Sequence, residues 1–421
     1  MDTQFLFFLG IDWATEEHRI CLLDANGRKI SERNVSHSGP GIQDFLDWII
    51  QKAGHDVDRL AVCIEVPRGA IVEALLDRCY SVFSINPKQL DRFRDRYTVA
   101  GAKDDSRDAF VLADSLRTDM HCFRRVENAE PLVIRIRELS RLEHDMQQDW
   151  SRLTNQLRDQ IHRYYPQLLR LSPAADEPWI WDLLQMAPLP AQRSTMREGK
   201  VQQLLSRFRI RRLSAEQVLT ELRVKPLPVS AGTAEAASEC CLLIIARLKL
   251  LQQQRVEVGK RIEAVLDEMT EIAEGGEGHE RDVEVLRSFP GVGRVVAATI
   301  LAEASQPLSE RNYHALRSYA GIAPVTRQSG KKKQVVMRYG CNGRLREALY
   351  HWSRISVQID DYSRQHYHRL RASGHSHGRA LRGIGDRLLS VLISMLKNQT
   401  IYDPMRRSQK QVNAGQGACS A

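Results

Sequence analysis

Four carboxylates in this chain are spaced for metal chemistry. Asp12 ends the apolar run 5–11, Glu65 ends a second run over 60–64, and Asp105 and Asp108 stand three residues apart on one face of a predicted helix. Acids at the ends of buried strands, joined by an i, i+3 helical pair, form a pocket for hard cations. Two such ions about 3.5–4 Å apart can hold the attacking and leaving oxygens of a phosphodiester during in-line displacement. Oxygen ligands favour Mg²⁺ or Mn²⁺ over zinc. One acid at a strand end is ordinarily a solvated terminus; four in this layout point to a metal site.

The elements that must position these acids are legible as periodicity. Strands are predicted over 5–12, 18–24, about 29–37, 60–65 and 82–85, and helices over 41–53, 69–79, 87–97 and 105–118. Three meandering strands followed by alternating helices and strands is the order of a ribonuclease-H-like fold. In that fold the catalytic carboxylates occupy the first strand, the fourth strand and a late helix. A first domain is therefore expected over 1–125.

The centre, 126–273, reads as long helices. Leu139, Met146 and Leu153 alternate with Trp150, Leu157 and Tyr164, and a second rhythm runs from Ile244 through Leu248, Leu251, Val258 and Val265 to Ile272. Such spacing predicts a coiled-coil seam, either an antiparallel hairpin or a pairing with another subunit. Between the helices lies an insertion, about 166–230, with prolines at 166, 173, 178, 188 and 190. Its basic piece, Arg207, Arg209, Arg211 and Arg212 around Phe208 and Ile210, suits a nucleic-acid backbone or a solvated helix face equally. A flexible glycine-rich linker is expected at 274–278.

A C-terminal, mostly helical domain is expected over 280–403, with a disordered tail at 404–421. Pro290-Gly291-Val292-Gly293-Arg294 resembles a helix-hairpin-helix turn, where Gly291, Gly293 and Arg294 would let backbone N–H groups approach a phosphate. Between Arg327 and Arg346 there are seven Lys or Arg residues and no acid: Arg327, Lys331, Lys332, Lys333, Arg338, Arg344 and Arg346. Ser329-Gly330 lies inside that field. The serine is either a phosphate-facing hydroxyl or only structural, with no base beside it in sequence.

Composition narrows the class. At 421 residues with 43% hydrophobic content the chain can bury cores and is no disordered polymer. A net charge of +9 and a pI near 9.2 suit a polyanionic partner. The eight cysteines show no CxxC or Cys/His cluster, so reduced thiols are expected. The N-terminal apolar run stops at Asp12, too short for a membrane span. A soluble, cytoplasmic protein without a membrane partner is the expectation.

The chain resembles the insertion-sequence one-ten (110) type DEDD transposases, relatives of the Piv-type site-specific DNA invertases. The likeness rests on Gly10-Ile11-Asp12, Glu65 with Arg68-Gly69, Asn86-Pro87 and Lys103-Asp104-Asp105-Ser106-Arg107-Asp108-Ala109. In the second half it rests on Pro290-Gly291-Val292-Gly293, Gly321-Ile322-Ala323-Pro324, Ser329-Gly330 and Gly340, Asn342, Leu345, Arg346. Asp104 stands where the family usually has threonine or asparagine; the three-residue spacing favours Asp105 with Asp108. The resemblance implies an α/β RuvC-like domain, a coiled coil that mediates assembly, and a C-terminal transposase domain completing a composite site. It implies Mg²⁺ at Asp12, Glu65, Asp105 and Asp108, and Ser329 as a nucleophile that becomes covalently linked to DNA. It further implies donor and target DNA as partners, a structured guide RNA, and a dimer that pairs into a tetramer on DNA. Two other enzymatic readings stay open: a protein-guided invertase without RNA, and a junction-resolving nuclease that uses water.

Overall fold

Alternating apolar residues build the N-terminal sheet. The computed structural model describes residues 5–97, 105–126, 130–230, 232–273, 281–330 and 332–403, in two compact units that divide after Glu130. In the first, β1 (Phe7–Asp12), β2 (Glu17–Asp24) and β3 (Lys29–Ser36) form an antiparallel meander. β4 (Leu60–Ile64) lies parallel to β1, and β5 (Ser81–Ser84) parallel to β4. The short β6 (Arg124–Arg125) completes the order β3-β2-β1-β4-β5-β6.

Side-chain parity divides this sheet into two faces. Leu9, Ile11, Val62 and Ile64 pack under α1 (Gly39–Ala53) and α2 (Ala70–Asp77) with Phe45, Trp48 and Leu75. Phe8, Cys21, Ala61 and Cys63 face the other way, against α3 (Pro87–Arg94) and α4 (Asp105–Asp119) with Leu90, Phe93, Leu112 and Leu116. Helix starts follow their caps: Ser38 Oγ accepts from the Gly41 N–H ahead of α1, and Asn86 Oδ1 from the Lys88 N–H ahead of α3. The mixed α/β order expected for this half is present.

In the second unit α5 (Pro131–Tyr164) and α10 (Thr233–Ala273) pack antiparallel along their lengths. Arg135 pairs with Glu268, Glu143 with Arg255 at 2.9 Å, and Tyr164 meets Cys241. The helices therefore pair within one chain. The insertion folds on one end of this pair as α6 (Gln167–Leu171), α7 (Pro178–Met186), α8 (Glu198–Arg207) and α9 (Ala215–Arg223), around Trp179, Trp181 and Leu248. The Trp181 indole donates to the Ala175 carbonyl at 2.8 Å, which satisfies its polar atom inside that core.

The opposite end packs with α11 (Arg281–Arg287), α12 (Arg294–Glu303), α13 (Ser305–Ser309) and α14 (Tyr313–Tyr319), and with α15 (Gly343–Ile359), α16 (Asp361–Ala372) and α17 (His377–Asn398). β7 (Val325–Ser329) and β8 (Lys332–Val336) form an antiparallel hairpin before α15. Leu248 and Val258, part of the seam that the sequence left open to another subunit, are both buried in the chain's own cores. The linker at 274–278 and the tail from 404 lie outside the described residues. Among the described residues no helix is long and apolar enough to cross a membrane.

Candidate active site

One glycine sets the geometry of the acidic site. A Cβ on Gly10 would stand 2.0 Å from the Ala109 carbonyl oxygen and 2.7 Å from the Ala113 nitrogen, so only hydrogen lets α4 lie this close to β1. That approach carries Asp108, one residue before Ala109, toward Asp12, two residues after Gly10. Ile11 pairs in register with Ile64, so Asp12 and Glu65 follow on adjacent parallel strands. The parity that turns Gly10 and Cys63 toward α4 turns Asp12 and Glu65 the same way. A polar clamp fixes the first turn of α4. Ser106 Oγ donates to Glu32 (3.1 Å) and accepts from Arg19 (3.3 Å), while Arg19 and Glu32 pair at 3.1 Å.

Asp108 is buried, 3% exposed, and a guanidinium grips it. Arg94 Nε donates to Oδ1 at 2.8 Å and Nη2 to Oδ2 at 3.0 Å, a bidentate pair. The same Nη2 stands 3.9 Å from Glu65 Oε2, and Nη1 donates to Asp91 at 2.8 Å. Burial opposes the charge of Arg94, and the hydrogen bonds it donates to Asp108 and Asp91, with the charges of Asp108 and Glu65, outweigh it, so its pKa is raised. Asp105 begins α4, but its side chain lies outside the described residues, as do Lys103 and Asp104. Among the described residues no group of three or more His, Cys, Asp or Glu is gathered as a metal site.

Neither Arg94 nor a histidine pair behind Asp12 is legible from residue spacing. His18, fully buried, takes the Ala14 N–H on Nδ1 (3.3 Å) and meets His37 Nδ1 through Nε2 (2.9 Å). The turn after Asp12 is thereby tied to β2. A helix-terminal Arg fourteen residues before Asp108 has no diagnostic spacing, and neither does a lone His in a strand.

In the second unit Ser329 ends β7 at the tip of an exposed hairpin. It pairs across the ladder with Lys332, and Gln328 pairs with Lys333. Residues directly opposite share a face, so Lys332 flanks the Ser329 hydroxyl and Lys333 projects from the other side. Gly330 holds φ +55°, the left-handed conformation that such a tight turn requires. Lys331 lies outside the described residues.

Several basic candidates serve the fold. Arg338 Nε donates to the Ala323 carbonyl (3.2 Å), which anchors the base of the hairpin. Arg344 faces Asp145 at 3.5 Å. Arg346 is half-buried beside Gly321. Asn342 caps α15 at Leu345 and donates to Glu303 at 2.7 Å, a structural role for that motif. Gly291, with φ +84°, packs against Ser356 of α15, and the Pro290 carbonyl accepts from Trp352 and Ser356; the turn is half-buried at 290–292 and exposed at Gly293 and Arg294. Gly293 is open, and the Arg294 guanidinium lies over Gly259 of α10. Arg207 pairs with Asp182, and Arg212 bonds Glu177 and the Leu171 carbonyl over the Trp179 ring. All four arginines of that basic piece are exposed, Arg207 and Arg212 while also paired to acids.

Residues 9–166 match a DEDD transposase family model of the IS110 type, and residues 283–368 match one described as a transposase of the IS116/IS110/IS902 family. A Streptomyces coelicolor protein named as the mini-circle transposase for IS117 is 31% identical over 412 residues, 95% of this chain and 96% of its own length. The chain belongs to the IS110-type family of DEDD transposases. The IS110 insertion-element protein of the same organism is 27% identical over 94% of this chain and 95% of its own. A Sinorhizobium fredii protein named as the transposase y4uE is 46% identical over 209 residues, 49% of this chain and 58% of its own length.

For this family the donor set at the ends of β1, β4 and α4 suits a hard divalent ion. The carboxylates are oxygen ligands, and a cationic group is already drawn between two of them. The first matched segment contains all four acids, and the second contains Ser329.

Proposed function

We propose that this protein cuts and rejoins DNA strands to move an insertion element, through a Mg²⁺-type site and a serine nucleophile. The observation that carries the reading is the seating of α4 on Gly10, which turns Asp108 toward the same end of the sheet as Asp12 and Glu65. Asp12, Glu65, Asp105 and Asp108 would hold the divalent ions, which supply charge stabilisation at the scissile phosphate. Ser329 Oγ attacks phosphorus; the Ser–O–P bond forms as one P–O bond to deoxyribose breaks, and the proton passes in net from the serine to the departing sugar oxygen. Lys332 offsets phosphate charge beside that hydroxyl. A second deoxyribose hydroxyl then attacks the phosphoserine and reseals the strand, so the phosphodiester energy is conserved without ATP. The RuvC-like character of the first unit and assembly through α5 and α10 belong to the same reading. So does direction by a structured RNA, which leaves basic surfaces to recognise backbone and shape.

A specific observation favours a second reading. Ser329-Gly330 is a pair that a tight hairpin turn wants for its own sake. Ser329 would then be structural and water the nucleophile. Incubating the protein with element-end DNA, Mg²⁺ and flanking-element RNA, then denaturing, separates the two. Wild type should yield a protein–DNA adduct. Ser329→Ala should bind DNA normally and yield no adduct and no cleavage. Cleavage by Ser329→Ala at the wild-type rate would establish the water reading. Mixing Ser329→Ala with Asp12→Ala then tests whether one copy supplies the serine and another the acids, since restored adduct formation requires complementation.

A further inference from the structure

Arg94 stands where the acidic site needs a cation. Both oxygens of the buried Asp108 are taken by its fork, at 2.8 and 3.0 Å, and Nη2 faces Glu65 at 3.9 Å. An Mg²⁺-sized ion, with its ligand distance of about 2.0–2.1 Å, would need the carboxylate oxygens that the guanidinium now holds. The two cations therefore exclude each other. Arg94 is nonetheless poised to leave. It is the last residue of α3, its side chain is 28% exposed, and Asp91, one turn back on the same helix and 66% exposed, already binds Nη1 at 2.8 Å. Rotation toward Asp91 keeps the guanidinium paired while it releases Asp108 and Glu65. A buried carboxylate without a counter-charge is strongly disfavoured, so one cation must replace the other.

We propose that Arg94 is a positioning residue that holds Asp108 and Glu65 as an internal counter-cation and is exchanged for the divalent ion when the site is loaded. This rests on the reading of the four acids as a metal site. The exchange makes metal binding weaker than the acids alone would give. It also keeps Asp108 oriented before the ion arrives.

The test uses full-length protein and Mn²⁺ alone, followed by loss of the free-ion paramagnetic resonance signal. Arg94→Gln should bind Mn²⁺ about tenfold or more tightly than wild type, the scale of a lost charge-assisted bidentate contact. Without metal it should melt lower than wild type, and saturating Mn²⁺ should close that gap. Equal or weaker Mn²⁺ binding by Arg94→Gln, with wild type binding normally, overturns the inference alone. If neither protein binds Mn²⁺, the metal reading falls and the exchange falls with it. Wild type offers a check that no variant can confound. Modification by an arginine-specific dicarbonyl, mapped by mass spectrometry, should rise at Arg94 when Mn²⁺ is added, and an unchanged Arg94 signal would overturn the exchange.

Discussion

The acidic site and the Ser329 hairpin are built in opposite ways. Asp12, Glu65 and Asp108 hang from paired strands and a helix seated on backbone, with Asp108 buried and held by two hydrogen bonds. Ser329 rides on two strands exposed on both faces, joined by a turn and anchored at the base by Arg338. A two-stranded hairpin has little stability of its own in water. The contrast fits a division of labour. Groups that bind metal must be preorganised, because misplacement costs rate steeply. A nucleophile that meets a DNA strand can be ordered by the strand itself.

The most severe way to break this comparison is at Gly10. Gly10→Ala places a methyl group against the Ala109 carbonyl, so α4 must shift; overpacking of this kind costs about 1–3 kcal/mol. Because the shift moves Asp108 away from Asp12, adduct formation should fall much further than stability. Gly330→Ala should cost about 1–2 kcal/mol locally, from its left-handed backbone, with Mn²⁺ binding unchanged. Denaturant melts and Mn²⁺ titration of both variants check this. Equal damage to metal binding by the two would erase the distinction.

That difference also explains what could be read from the sequence. The acids were visible because strand-end carboxylates interrupt apolar runs, and helix α4 because its apolar residues keep a helical period. The hairpin was hidden: Val325–Val336 is too polar to show alternation, and its strands bury almost nothing. Arg94, His18 and the pairing of Arg207, Arg212 and Arg338 depend on long-range neighbours. A basic residue looks the same in a sequence whether it faces phosphate or Glu177. Leu248 shows the converse, a correct helical rhythm whose partner, the chain's own insertion core, only the fold reveals.

A finer cut falls within the hairpin. Lys332 lies across the ladder from Ser329, and Lys333 across from Gln328. Lys332→Ala should slow adduct formation about tenfold through lost phosphate neutralisation, while Lys333→Ala should weaken DNA binding with a smaller effect on rate. Single-turnover rates at saturating DNA measure the first and salt-dependent binding the second. Identical profiles would mean that strand register does not orient the site.

The smallest effect concerns pH, and it should touch only the acidic side. Burial, and secondarily the charge of His37, pushes the His18 pKa below its ordinary 6.5. With Nδ1 accepting from Ala14, Nε2 carries the proton toward His37, so the folded protein wants a neutral ring. Below pH 6.5 the unfolded chain takes up a proton that folded His18 refuses. Stability is therefore full above 6.5 and declines as the pH drops from there toward the lowered folded value, by at most about 1.4 kcal/mol per pH unit. The hairpin's ionisable side chains are lysine and arginine alone, with no histidine or carboxylate among them. Denaturant melts at pH 7.5, 6.5 and 5.5 should show a decline in wild type that His18→Gln lacks. The same slope in both proteins would remove the imidazole pair as its source, and with it the tie that holds the turn after Asp12.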